Sequence, residues 1–146
     1  MGRIIAFDYG NKRIGLAVTD PLQIIAFPLV TISPSEIESF LADYVKKEAV
    51  DEFVVGYPVQ MNNLPSNAVK YIKPFIKRLS RLYPGIPVNL EDERFTSKIA
   101  QRTIFDGGVS KKNRMDKSLA DKISASLILQ SFLEKRKNKI ERNNKK

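Results

Sequence analysis

The order of hydrophobic patterns along the chain limits the possible folds more than any other feature of the sequence. Three runs rich in β-branched and aromatic residues come first, joined by short links, and span residues 3–7, 13–19 and 23–32. Runs of this kind predict strands, and the short links between them predict an antiparallel meander. Two more strand-like runs, 52–57 and 86–90, follow in the second part of the chain, where they alternate with segments of helical spacing.

Helical spacing predicts four helices after the meander. The first opens at the Ser-Pro-Ser-Glu segment 33–36, whose residue types suit a helix start. The others are predicted at residues 66–82, from Thr96 or Ser97 to near Gly107, and at 118–138. The resulting order, β-β-β-α-β-α-β-α-α, predicts an α/β fold with a mixed sheet and helices on its faces. Pro28 predicts an edge position or a bulge, and Pro74 predicts a disturbed or kinked helix.

Length and composition predict one domain. A chain of 146 residues suits a single core, and we expect the domain to span 1–138, followed by a basic, flexible tail at 139–146. No apolar run approaches the 18 residues of a membrane span, and the N-terminus lacks the anatomy of a signal peptide. Together with the absence of cysteine, these features predict a cytoplasmic protein.

The chain contains neither cysteine nor histidine. Their absence excludes disulfides, thiolate zinc sites, cysteine nucleophiles and Ser-His-Asp triads. Any hydrolytic chemistry must therefore use carboxylates, a lysine, a tyrosine or a metal held by oxygen ligands.

Basic residues concentrate in two places. The net charge is +9, and residues 135–146 contain seven Lys or Arg and one Glu, which gives this segment +6. Such a segment suits an arm that contacts phosphate backbones, although a solubilising end is the alternative. The second cluster lies in a polar loop inside the domain and consists of Lys111, Lys112, Arg114 and Lys117. Four positive charges in one loop favour nucleic acid as the partner.

Two acidic residues follow strand-like runs, at the carboxyl ends where open α/β sheets bind ligands. Asp8 ends the first run, and Glu93 follows the fifth run within Glu91-Asp92-Glu93. Alternation along an extended chain puts Glu91 and Glu93 on one side and Asp92 on the other. Each residue has an ordinary alternative, because Asp8 could form an Asx turn and Glu93 could complement the dipole of the following helix.

Asp121 lies in the first turn of the last predicted helix. Its neighbours at helical spacing are Ala125, Ile128 and Phe132, so it continues the apolar stripe that should pack on the sheet. A carboxylate near a packed face needs a metal or another partner. The alternative is a capping box in which Asp121 bonds the backbone amide of Ser118.

The three carboxylates would lie at the same end of the sheet. Several carboxylates together suit one or two Mg²⁺ or Mn²⁺ ions. Such ions activate a water molecule and stabilise the oxygens of an in-line phosphodiester displacement.

Four segments of the chain resemble the YqgF/RuvX family of bacterial RNase H-like nucleases, which is distantly similar to Holliday junction resolvases. They are FDYGNKRIGLAVTD (7–20), VVGYP with MNN (within 54–63), DERFTS (92–97) and ADKISASLILQSFLE (120–134). The resemblance covers nearly all of the folded chain. One departure is Asn63, where family members commonly have glycine.

This resemblance implies an RNase H-like fold, with a five-stranded mixed sheet in the order 3-2-1-4-5 flanked by helices on both faces. The implied catalytic residues and metal ligands are Asp8, Glu93 and Asp121, with Mg²⁺ or Mn²⁺ as the cofactor. The implied phosphate contacts are Lys12, Arg13 and Arg94. Arg94 has the alternative of pairing with Glu91 or Asp92.

The resemblance also implies an endonuclease for structured nucleic acid. We favour processing of the 5′ end of precursor 16S rRNA, with pre-ribosomal particles as further partners, over resolution of Holliday junctions in branched DNA. A non-catalytic rRNA-binding assembly factor is a third hypothesis. A phosphotransferase, suggested by Asp8-x-Gly10 before a hairpin, would need two lobes where the chain has length for one. A resolvase would need a dimer, but the sequence indicates no oligomeric state.

Overall fold

A computed structural model describes residues 2–10, 12–57, 69–92 and 117–144 of the chain. The strands are β1 (Arg3–Tyr9), β2 (Ile14–Thr19), β3 (Ala26–Ile32), β4 (Val50–Tyr57) and β5 (Val88–Asp92). The helices are a 3-10 turn at Pro34–Glu36, α1 (Ile37–Lys47), α2 (Val69–Leu82) and α3 (Lys117–Asn144). The helix predicted from Thr96 or Ser97 to near Gly107 lies outside the described residues.

The five strands form one sheet in the order β3-β2-β1-β4-β5. β2 pairs antiparallel with both β1 and β3, and β4 pairs parallel with both β1 and β5. This confirms the predicted meander, the mixed sheet and the strand order. β1 lies at the centre, as its apolar sequence predicts, since a strand buried on both faces cannot carry alternating polar residues.

Two hydrophobic layers cover the two faces of the sheet. On one face, Phe7 and Phe53 of the strands pack with Phe75 of α2 and Leu41 of α1. On the other face, the small or branched side chains of β1, β2 and β4 pack against α3, which supplies Ala125, Ile128, Leu129 and Leu133. Helices therefore flank the sheet on both sides, as predicted.

Pro28 lies in an edge strand and next to a bulge, so both predicted positions are confirmed. β3 is the outer strand, and its pairing with β2 shifts register between Leu16 and Ala17. Leu16 pairs with Val30 and Ala17 with Pro28, which leaves Leu29 as the extra residue. A proline that cannot donate a backbone hydrogen bond is tolerated at such a place.

The last helix differs from the prediction in its length. Pro74 lies inside α2, and the disturbance or kink predicted there stays a prediction. α3 extends to Asn144, so residues 139–144, predicted to belong to a flexible tail, continue the helix. These residues include good helix formers such as Lys and Glu. Within the described part of the chain, no helix is long and apolar enough to cross a membrane.

Candidate active site

Asp8 lies at the carboxyl end of the central strand, on the face covered by α3. Ile4 and Ala6 of β1 pack in the layer with α3, whereas Ile5 and Phe7 pack in the opposite layer. Alternation therefore directs Asp8 toward α3. Its side chain is partly exposed, which suits a carboxylate that must remain accessible to ligands.

Gly15 brings the start of α3 to this point. It is the register partner of Asp8 on the neighbouring strand. A Cβ atom at Gly15 would lie 2.1 Å from the carbonyl oxygen of Asp121 and 3.1 Å from its Cβ. The first turn of α3 thus rests directly on the β2 backbone, beside Asp8, and only a glycine permits this approach.

Arg13 closes the site from the β1–β2 hairpin. The hairpin is held by a 2.9 Å hydrogen bond from the Gly10 N–H to the Arg13 carbonyl oxygen. Arg13 Nε donates to Asp121 Oδ2 at 2.7 Å, and the two side chains are 39% and 25% exposed. The side chain of Asp121 is therefore directed to the hairpin.

A cleft of about 140 Å³ joins these residues. It is lined by Asp8, Tyr9, Gly10, Lys12, Arg13 and Asp121. Two of the predicted carboxylates and two of the predicted phosphate-binding cations therefore meet in one place, although they come from separate parts of the sequence. The cleft combines anionic groups for a cation with cationic groups for a phosphate.

Glu91 is held by α3. It is 4% exposed, and its Oε1 accepts hydrogen bonds from Ser131 Oγ, at 3.1 Å, and from Lys135 Nζ of α3. Glu91 is therefore bound to the middle of α3, so its carboxylate acts in packing. Asp92 at the end of β5 is exposed.

The remaining predicted site residues are Glu93, Arg94, Lys111, Lys112 and Arg114, which lie outside the described residues, and Lys117, which begins α3. Glu93 follows two positions after Glu91, which faces α3. Within the described residues, no group of three acidic side chains is close enough to hold a metal ion. The donors that do meet, Asp8 and Asp121, are carboxylates, and their chemistry fits Mg²⁺ or Mn²⁺.

The packing role of Gly15 and the Arg13–Asp121 pair were not predicted from the residues. A glycine inside an otherwise apolar strand does signal a close backbone approach, but the sequence does not indicate which element approaches. The ion pair joins residues 108 positions apart, so it depends on the tertiary fold.

The sequence was compared with protein families and with named relatives. The model of the RuvX family, described as Holliday junction resolvase, matches residues 2–135. A protein of Parabacteroides distasonis is 52% identical over 137 residues, which cover 94% of this chain and 98% of that protein. A protein of Porphyromonas gingivalis is 52% identical over 134 residues, covering 92% and 97%. Both relatives carry the name "Putative pre-16S rRNA nuclease".

A solved structure shows the same fold. T. thermophilus RuvC, in complex with a Holliday junction substrate, matches with a TM-score of 0.53 and 16% sequence identity, covering 93% of this chain and 96% of that one. The match with RuvC supports the RNase H-like fold. The match with the family model extends over residues 2–135, which is most of the chain. The chain belongs to the RuvX family.

Proposed function

We propose that this protein is a metal-dependent endonuclease that hydrolyses phosphodiester bonds in structured RNA, at the 5′ end of precursor 16S rRNA. The observation that carries the proposal is the meeting of Asp8 and Asp121 across Gly15, in a cleft that Lys12 and Arg13 also line. Carboxylates beside cations suit a site that must hold both a metal ion and a phosphate.

Asp8, Asp121 and Glu93 are the proposed ligands of Mg²⁺ or Mn²⁺. When bound, the metal would supply an activated water and stabilise charge on the phosphodiester. Arg13 holds the Asp121 carboxylate at the mouth of the cleft through the 2.7 Å contact. Since this contact is partly exposed, Arg13 can exchange the carboxylate for a substrate phosphate, while Lys12 adds a second positive charge.

The relatives support RNA as the substrate. Proteins about half identical to this chain, over nearly its whole length, carry the pre-16S rRNA nuclease name. The description of the family model favours a second candidate, the resolution of Holliday junctions. Both substrates are structured polyanions, so the same cleft could serve either, and experiment must separate them.

A cleavage assay with Mg²⁺ or Mn²⁺ tests the proposal. The substrates are a labelled 5′ segment of precursor 16S rRNA and a labelled four-way DNA junction. Asp8→Asn should lower RNA cleavage about 100-fold or more, because even residues behind a metal ligand commonly contribute 10- to 100-fold. The matched control is Asp43→Asn, which neutralises an exposed acid on α1 and should retain full activity.

Each outcome has a definite meaning. RNA cleavage that disappears in Asp8→Asn supports the proposal. Cleavage of the junction alone would favour the resolvase. If neither substrate is cut but both wild type and Asp8→Asn bind RNA tightly, the protein is a binding factor for ribosome assembly and the proposal is wrong.

A further inference from the structure

A second groove lies along α2, on the face of the sheet opposite the catalytic cleft. Its volume is about 390 Å³. It is lined by Tyr9, Tyr71, Pro74, Phe75, Lys77, Arg78 and Arg81. Tyr9 lines both the groove and the cleft, and it follows Asp8 directly in β1. The two depressions therefore share Tyr9 at the carboxyl end of the central strand.

The groove is strongly basic. α2 contains five Lys or Arg residues and no acid. Arg78 is offset by Glu38 of α1, whose Oε1 lies 3.4 Å from Arg78 Nε. Lys73, Lys77 and Arg81 are exposed and follow one another at four-residue spacing, where like charges repel and destabilise a helix. A polyanion bound along this face would relieve that repulsion.

Aromatic rings lie among these charges. Phe75 is buried and stacks on Tyr9 with ring centroids 4.5 Å apart, which forms a rigid floor. Tyr71 is 41% exposed, and Lys70 Nζ lies 5.2 Å from its ring centroid. An accessible ring beside cations is the combination on which unpaired bases stack while their phosphates are neutralised. Bases inside a duplex are already stacked and cannot use such a ring.

We propose that the α2 groove binds a single-stranded nucleic-acid segment next to the scissile bond. One base stacks on Tyr71, Lys77 and Arg81 contact the phosphates, and the strand passes over the sheet edge at Tyr9 into the cleft. The groove thereby selects substrates with an unpaired extension beside the cleavage point. This assignment rests on the proposed nuclease function for the direction of the strand, but binding itself can be measured without cleavage.

The experiment measures binding of full-length protein to two labelled RNAs in EDTA, by fluorescence anisotropy. One RNA is a hairpin with a single-stranded 5′ extension, and the other is the same hairpin without it. Tyr71→Ala should weaken binding of the extended RNA about tenfold or more and leave the blunt hairpin unchanged. Tyr71→Phe, which keeps the ring, should restore binding.

The salt dependence of binding tests the proposed phosphate contacts of Lys77 and Arg81. Lys77→Ala with Arg81→Ala should weaken binding of the extended RNA and reduce the slope of log Kd against log salt by about 1.4, from about 0.7 for each single-strand phosphate contact. The matched control is Lys46→Ala with Lys47→Ala, which removes the same charge from exposed positions at the far end of α1. It should leave the slope for the extended RNA near that of the wild type.

Two results would contradict the proposal that the α2 groove binds a single strand. One is wild-type affinity of both groove variants for the extended RNA. The other is equal weakening for both RNAs, since that would indicate general electrostatic attraction rather than a single-strand site. Asp8→Asn separates the two proposals: if it binds the extended RNA normally and no protein cleaves RNA with Mg²⁺ or Mn²⁺, the nuclease function fails while the groove stands.

Discussion

The two ends of α3 use the same kinds of charged groups for different purposes. At its start, one contact of 2.7 Å joins Asp121 to Arg13, and both side chains are partly exposed. In its C-terminal half, Arg136 donates two hydrogen bonds to Glu52, of 2.6 and 2.8 Å. Asn89 Nδ2 also donates to Glu52 at 2.7 Å, so that carboxylate is held by three donors.

This difference in bonding distinguishes the candidate site from contacts that only hold α3 on the sheet. We call the contacts of Glu52 and Glu91 with Arg136 and Lys135 the brace. Glu52 and Glu91 lie on strands and their side chains are largely buried, so their bonds fix the helix to the sheet. Among the described residues, Asp121 accepts fewer hydrogen bonds than Glu52 or Glu91, and its side chain is more exposed, at 25%, so this pair can open to a ligand. Substitutions at the two ends should therefore have different consequences.

The largest expected effect is that of Gly15→Ala. The new Cβ would overlap the backbone of Asp121, so the start of α3 must move away from the sheet. We expect a loss of about 1–3 kcal/mol in the free energy of unfolding and a fall in cleavage of about 10- to 100-fold, because small displacements of catalytic groups are costly. Chemical denaturation and the RNA cleavage assay measure both.

Gly85→Ala is the control for this change, since its Cβ would meet no atom within 4 Å. Equal behaviour of the two variants would contradict the close approach of α3 to β2, and with it the argument that brings Asp8 and Asp121 together.

A smaller effect is expected at the brace, where Glu52→Gln should lower stability by about 1–2 kcal/mol and leave cleavage unchanged. The hydrogen bond with Glu52 raises the pKa of Arg136. A raised folded-state pKa contributes stability that is complete below the unfolded value, far above neutral pH, and is lost only as pH rises through the folded value. The loss should therefore be constant across neutral pH when measured by urea denaturation.

Glu38→Gln, at the more exposed contact with Arg78, should cost less than about 0.5 kcal/mol. If Glu52→Gln reduced cleavage as strongly as Asp8→Asn, the division of α3 into a site and a brace would be wrong.

The smallest expected effect is at the turn between β2 and β3, which lies against the C-terminal part of α3. Asp20 accepts hydrogen bonds from the N–H groups of Ile24 and Ile25, each at 2.8 Å, and of Leu22 at 3.2 Å. The bond from Ile25 is the main cause of a lowered Asp20 pKa. The resulting stability is present above the unfolded value of 3.8 and is lost as pH falls through the folded value.

Asp20→Asn should thus lower the Tm slightly at pH 7, and its difference from wild type should shrink as the pH falls below 3.8. Thermal unfolding followed by circular dichroism measures this, with Asp43→Asn as the control for a general loss of negative charge. A difference that grew at low pH would show that the carboxylate is not what holds the turn.

The sequence predicted much of the fold because the evidence for it is local. Short links between strand-like runs led to the meander, and the apolar β1 led to the centre of the sheet. The positions of Asp8 and Asp121 at one edge of the sheet were predictable, because they follow from a strand end and a helix start; their role as metal ligands stays a prediction. The partner of Asp121, Arg13, comes from the β1–β2 hairpin and was not predicted.

The remaining features depend on contacts between distant segments. Alternation predicts the same side of the chain for Glu91 and Glu93, yet only the packed α3 assigns Glu91 to Ser131 and Lys135. The extension of α3 beyond residue 138 is consistent with the helix formers of that segment, but the sequence carries no signal that fixes where the helix ends. The basic residues of α2 are evident in the sequence, but only the tertiary fold shows that some of them line a groove together with Tyr9.

The bulge at Pro28 affects how copies of the chain can associate through their sheet edges. An edge strand with a regular row of free backbone groups can recruit the edge of another molecule and start a growing aggregate. In β3, proline removes one donor and the extra residue Leu29 interrupts the repeat, so a foreign strand could not pair along its length. The same irregularity that ends the sheet should therefore protect freshly made chains from joining edge to edge.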